Sequence, residues 1–288
     1  MSTSTFSRST FSSSDQTLIA LDSRGAGPGL VIIPGAVVPA ERYQPLATLL
    51  SRSFTVHLMH RRGHGASGPQ GSDHSMDQEC DDVLAALELT GASRIFGHSY
   101  GGLVAIETAL RDTRRSAGER RLAHVVTYDP AATVFSAAPT GFLPRFEAEL
   151  ARHRHAAALT TMQRGLRVGG PLDRMPRRFA HALNWAILHA PGGPATADNL
   201  HSVPGEAKAA AKIEEAAHAY ASVTTPILIM VGARSPQWLQ QAGRELANTL
   251  QHTRLTTITS LDHNGPLLRP EAVVRQLERF QREHFPTI

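Results

Sequence analysis

A single cysteine, Cys80, in a chain of 288 residues excludes any intrachain disulfide. It falls in a segment of helical periodicity and reads as a packing residue rather than a nucleophile. No apolar run approaches the length of a bilayer span. The first residues lack the hydrophobic core of a secretory signal, so a cytoplasmic location is expected. Dense Lys/Arg runs with interleaved aromatics are missing too, and with them the usual footprint of nucleic-acid binding. The formal net charge is only +4. Arg114-Arg115 and Arg120-Arg121 bracket a short polar segment that reads as a solvated loop. No internal repeat at a fixed period is found. What is present is ordinary for a globular chain: 41% apolar and 19% charged residues, with length enough to bury a substantial core.

Residues 1–14 are rich in Ser and Thr and are expected to form a flexible tail. Strands are then predicted at 17–21, 30–33, 54–59, 93–96, 123–128, 226–231 and 254–259. Between most of them lie helical patterns: 41–50, 75–91 with Asp73 or Ser75 as cap, the stretch after Ser99, 237–250 and 270–285. This alternation predicts an α/β fold with a mostly parallel, doubly wound sheet and helices on both faces. Between about 137 and 222 no strand is predicted. Helical patterns at 142–159, 176–189 and 206–220 are joined by Gly169-Gly170-Pro171 and Pro191-Gly192-Gly193-Pro194. The expected organisation is a core of residues 15–136 and 223–288 with a helical cap, 137–222, inserted after the sixth strand. Such a cap would lie over the carboxyl edge of the sheet, where open α/β sheets bind ligands.

Gly97-His98-Ser99-Tyr100-Gly101, followed by Gly102, sits between the predicted strand at 93–96 and a helical stretch. A serine held in a strand-to-helix turn has its hydroxyl pushed out of the main chain, free to attack a carbonyl. The flanking glycines leave room for the strained turn and for close backbone approach. Such a serine needs a histidine base and an acid to orient it. His263 follows the last predicted strand and precedes the terminal helix, which brings it to the sheet edge of Ser99.

Four features in this order give the chain a strong resemblance to the α/β-hydrolase fold superfamily, in its lidded, esterase-like members. They are Ile33-Pro34-Gly35-Ala36, Arg62-Gly63-His64-Gly65-Ala66-Ser67, the Ser99 turn, and His263 before a helix near Pro270. The resemblance spans roughly residues 16–287. It implies a nucleophile at Ser99, a base at His263, and an oxyanion hole formed by the backbone N–H of Tyr100 with that of Ala36 or Val37. Many members place the acid after the penultimate strand. Here that loop reads Gly232-Ala233-Arg234-Ser235-Pro236, without a carboxylate. Asp129, directly after the strand that follows the Ser99 helix, is the expected acid, and Asp262 the rival.

The expected reaction is hydrolysis of a carboxylic ester or lactone through an acyl-serine. The substrate would be a small molecule with an apolar acyl or alcohol part, and no cofactor is expected. Phe142, Phe146, Met162 and Trp185 are the expected lining of its pocket. Two other outcomes fit the same residues: a non-hydrolytic acyl transfer, cyclisation or lyase step, or a ligand-binding protein without turnover. His64 and His98 are expected to hold loops by hydrogen bonding. His153 and His155, two apart on a helix, face different directions and make a poor metal pair, so no metal is expected.

Overall fold

The computed structural model describes residues 5–135, 138–213 and 217–284. Among these residues eight strands form one sheet: β1 (Ser7–Ser12), β2 (Leu18–Arg24), β3 (Gly29–Ile33), β4 (Thr55–His60), β5 (Arg94–His98), β6 (His124–Tyr128), β7 (Ile227–Gly232) and β8 (Thr253–Ile258). Their spatial order is β1-β2-β4-β3-β5-β6-β7-β8. The pairs β1–β2 and β2–β4 are antiparallel, and every other pair is parallel.

The helices are α1 (Gln44–Leu50), α2 (Met76–Thr90), α3 (Tyr100–Thr113), α4 (Leu143–Leu150), α5 (His155–Leu166), α6 (Arg177–His189), α7 (Gly193–Asn199), α8 (Val203–Ala211), α9 (Gln237–Thr249), α10 (Gly265–Leu268) and α11 (Pro270–His284). The period-two pattern of the central strands sorts side chains onto two faces. Val31, Ile33, Ile95 and Val125 pack with α2, α3 and α9. Leu30, Ile32, Phe96 and Val126 pack with α1 and α11. Cys80 lies buried in the first of these layers, where burial pushes its thiol well above the usual range. At the head of α2, Ser75 and Gln78 close a reciprocal capping box.

The N-terminal segment departs from the expected flexible tail. Residues 1–4 lie outside the described residues, but Ser7–Ser12 form an edge strand paired with β2. Backbone hydrogen bonding needs no apolar side chains, so Ser/Thr composition concealed it. Arg8 reinforces the pairing with two bonds to the Asp22 carboxylate, at 2.7 and 2.9 Å. That guanidinium also approaches His60 and Glu41.

Between β6 and β7 the described residues carry helices and no strand. The pattern at 142–159 resolves into α4 and α5, separated where His153 takes φ 54°. The pattern at 206–220 resolves into α8 and a 3-10 turn, Ala217–Ser222, with 214–216 outside the described residues. Phe146, Leu150, Leu159, Met162 and Leu188 give this insertion an apolar cluster of its own, into which Val37 of the β3–α1 connection packs. Among the described residues no helix is long and apolar enough to cross a membrane.

The turn between β5 and α3 depends on close backbone approach. A Cβ on Gly101 would lie 2.3 Å from the Ile33 carbonyl oxygen and 2.5 Å from that of Pro34. Neither neighbour is a side chain that can swing away. Gly101→Ala is therefore expected to cost more than the roughly 1–3 kcal/mol usual for overpacking. A urea midpoint equal to the parent's would contradict this.

Candidate active site

Ser99 sits at the junction of β5 and α3 with φ 56° and ψ −119°. Its backbone is locked from both sides: its N–H donates to the Tyr128 carbonyl at 3.0 Å, and its carbonyl accepts from Ala131 N–H at 3.0 Å. These bonds join the ends of β5 and β6 and place Asp129 one residue beyond the strand that anchors Ser99.

Asp129 is fully buried. Its Oδ2 accepts from His263 Nδ1 at 3.0 Å and from Ser235 Oγ at 2.5 Å, and its Oδ1 accepts from Gly232 N–H at 3.0 Å. The end of β7 and the loop after it, which carry no carboxylate, thus supply two of the three donors that hold one. A Cβ on Gly232 would lie 2.5 Å from Ser235 Oγ and 2.7 Å from the Tyr128 hydroxyl, so this position is fitted to glycine. With Nδ1–H given to a carboxylate, the free lone pair of the neutral His263 ring is on Nε2.

Asp262 is turned elsewhere. Its Oδ1 accepts from the Asn264 N–H at 2.9 Å, which closes a local turn, and its carbonyl accepts from the Tyr128 hydroxyl at 2.7 Å. The carboxylate that meets the His263 ring is that of Asp129.

A second chain of bonds ties three loops together. Gly35 N–H donates to the Tyr43 hydroxyl at 2.9 Å, and that hydroxyl lies 2.6 Å from His98 Nδ1. His98 Nε2 lies 2.9 Å from the His263 carbonyl. A carbonyl can only accept, so Nε2 carries the proton and Nδ1 accepts from Tyr43. Burial, and then the proximity of His263, hold His98 well below the usual histidine range, so it stays neutral. His98 thereby links the β3–α1 loop, the residue before Ser99 and the loop of His263. Sequence reading assigned His98 a hydrogen-bonding role but missed Tyr43, Tyr128 and Ser235. The one signal for Ser235 was its place in the loop after the penultimate strand.

Ser99, Tyr100, His263, Ala36 and Val37 all border one cavity of about 540 Å³. Val37 takes φ 56°, rare for a β-branched residue. Phe142 and Met162 line the cavity beside Leu159, Leu166 and Val38. Two expected lining residues do not. Phe146 is fully buried inside the insertion, against Phe142. Trp185 faces outward, 55% exposed and stacked on His189. Helical periodicity marks a residue's spacing but not which side of a helix meets the cavity.

Beneath Tyr100 lies a buried ionic cluster. Arg61 stacks 4.8 Å from the Tyr100 ring, pairs with Glu79 of α2 at 2.8 Å, and pairs closely with Glu206 of α8. His64 lies 2.8 Å from Ser202 Oγ and 3.2 Å from Glu206. Burial raises both carboxyls. For Glu206 the Arg61 charge and the bond from His64 outweigh it and bring the group down to about 2. Glu79 stays pushed up to about 7, because one guanidinium cannot fully offset two buried carboxylates.

A family model described as "Alpha/beta hydrolase family" matches residues 30–276. Among solved structures, an alpha/beta hydrolase from Sphaerobacter thermophilus DSM 20745 has a TM-score of 0.75 and 26% identity, covering 94% of this chain and 99% of that one. An enol-lactonase from Burkholderia xenovorans LB400 has a TM-score of 0.71 and 20% identity, covering 94% and 99%. The esterase RhEst1 from Rhodococcus sp. ECU1013 has a TM-score of 0.71 and 19% identity, covering 95% and 98%. The last two share the fold. A curated pimeloyl-[acyl-carrier protein] methyl ester esterase from Nitrosomonas europaea is 34% identical over 97 residues, which are 34% of this chain and 37% of that protein. The chain therefore aligns with little more than a third of that relative's length.

Two outcomes follow from these bonds. Tyr43→Phe strands the Gly35 N–H and the His98 ring, and is expected to cost about 1–3 kcal/mol in urea unfolding. The Glu79 carboxyl, raised on folding, stabilises while protonated; that contribution is complete below about pH 4.5 and is lost as pH rises through about 7. Glu79→Gln keeps the uncharged form, so the parent-minus-variant stability difference should slope downward across that window. A difference independent of pH would show that Glu79 does not titrate there.

Proposed function

The chain belongs to the alpha/beta hydrolase family, and from that premise we propose that it is a serine hydrolase acting on a carboxylic ester or lactone. The observation that carries this reading is the Asp129–His263 contact at 3.0 Å beside a cavity bordered by Ser99 and His263. His263 Nε2 takes the Ser99 proton as Oγ attacks the carbonyl carbon. Asp129 fixes the ring's tautomer and stabilises the imidazolium that forms. The tetrahedral oxyanion is held by the Tyr100 N–H and that of Ala36 or Val37, each such donor being worth about 10²–10³ in rate. Collapse expels the alcohol with the proton from His263. Water, deprotonated by the same ring, then releases the acid and restores the serine.

Apolar walls from Leu159, Met162, Leu166 and Phe142 favour a substrate with an apolar acyl or alcohol part. The helical insertion between β6 and β7 serves as the lid. Ester-cleaving and lactone-cleaving neighbours of the same fold support the reaction class.

Turnover of a p-nitrophenyl ester and labelling by a fluorophosphonate test the roles. Ser99→Ala should abolish both. Asp129→Asn should lower kcat by about 10⁴, while Asp262→Asn should leave it near the parent value. Unchanged turnover in Ser99→Ala, or equal losses in the two aspartate variants, would overturn the assignment.

A further inference from the structure

Helix α6 touches the rest of the protein along a narrow stripe, Ala180, Asn184 and Leu188, which are buried. Asn184 anchors it through Thr160 and Gln163. At 100° per residue, positions 179, 182, 183, 186 and 187 share one outward sector. That sector reads Phe179, Ala182, Leu183, Ala186 and Ile187, and its large members are 50%, 44% and 43% exposed. A soluble surface seldom leaves such a run uncovered.

The charge around this face has one sign. From Arg174 to Ala197 the chain contains no acidic residue. Arg174 and Arg178 are exposed, and the Arg178 guanidinium lies 4.8 Å over the Phe179 ring. Trp185 borders the sector, also exposed. Of the acids on neighbouring elements, Glu149 is engaged with Arg145, Arg177 and Thr161, Asp173 accepts from the Gly169 N–H, and the exposed Asp198 stands near the C-terminal end of α7, outside this interval. Apolar side chains flanked by Arg and Trp, without carboxylates, fit the boundary between acyl chains and anionic headgroups. A second copy docked face to face would instead bring both sets of Arg174 and Arg178 into one interface to which α6 contributes no carboxylate.

We propose that the outer face of α6 docks on an anionic lipid surface. Ile187 belongs both to this face and to the cavity lining, so docking sets the cavity mouth at that surface. The inference goes beyond the hydrolase reading and does not depend on it.

The test uses the full chain and phosphatidylcholine vesicles with or without phosphatidylglycerol. The protein is expected to co-sediment with the anionic vesicles, to be released by high salt, and to be recovered unbound from the neutral ones. In a Trp238→Phe background, Trp185 emission should shift to the blue on binding. Phe179→Ser with Leu183→Ser, both on exposed positions, should abolish sedimentation while hydrolysis of a water-soluble ester persists. Failure of the parent to bind, or binding that survives the double variant, overturns the proposal. So does a solution dimer that the double variant dissociates, since a second copy would then cover the face. Ser99→Ala should still sediment; loss of its turnover with binding intact bears on the catalytic reading alone.

Discussion

The arrangement of the loops around this cavity rests on the buried Asp129 carboxylate. A charge removed from water must be repaid by donors, and Asp129 receives three, from His263, Ser235 and Gly232. Each comes from a different position on the β7 and β8 loops, so satisfying the carboxylate also fixes where those loops stand. The His263 ring is placed by that need. Its carbonyl is placed by His98, whose ring is set by Tyr43, which in turn holds Gly35. One continuous set of hydrogen bonds therefore runs from the β3 loop to the acid.

Strain collects along the same path. Ser99, Val37 and Asp129 are non-glycine residues with φ of 56°, 56° and 45°. Such conformations cost on the order of 1–3 kcal/mol each and persist only where the surroundings overdetermine them. At Ser99 and Asp129 the determining bonds are visible: Ser99 N–H to Tyr128, Ala131 N–H to Ser99, and Asp129 N–H to Met230. At Val37 the side chain enters the apolar cluster of the insertion, and the carbonyl accepts from Asn199 Nδ2 at 3.3 Å. The three strained residues lie on loops at the carboxyl ends of β3, β5 and β6, where parallel strands deliver their loops to one edge.

How much of this could be read from the sequence follows from the range of each interaction. Continuous apolar runs located the parallel strands, since burial on both faces leaves a direct trace, as in Leu30 to Ile33 or Ile227 to Val231. The Ser99 turn was legible because Gly97, Ser99 and Gly101 stand together in the chain, although the collisions at Gly101 come from the distant Ile33 and Pro34. Strand β1 was not, because pairing by main-chain hydrogen bonds imposes little on Ser7 to Ser12. Tyr43 and Ser235 were invisible for a different reason. Their hydroxyls matter through partners 55 and 106 residues distant, and a lone Tyr or Ser carries no local pattern. Trp185 and Phe146 failed as lining residues because both belong to helices with two sides, and composition cannot say which side faces the cavity.

The insertion is coupled to the Ser99 turn through charge as well as through apolar contact. Arg61 lies under the Tyr100 ring and reaches Glu79 on α2 and Glu206 on α8. Glu206 borders the cavity, so one ion pair spans core, cavity wall and insertion. Buried ion pairs are weak sources of net stability, since desolvation consumes most of their attraction, yet losing one partner is costly. That asymmetry suits a contact whose value is position: α8 can sit only where Glu206 meets Arg61, His64 and Ser202 together. Apolar packing against Val37 would tolerate a helix sliding by part of a turn, whereas these directional bonds do not. The wall of the cavity nearest Tyr100 is therefore set by hydrogen-bond geometry, and the wall lined by Leu159, Met162 and Leu166 chiefly by packing, with Trp238 Nε1–H bonded to the Leu166 carbonyl.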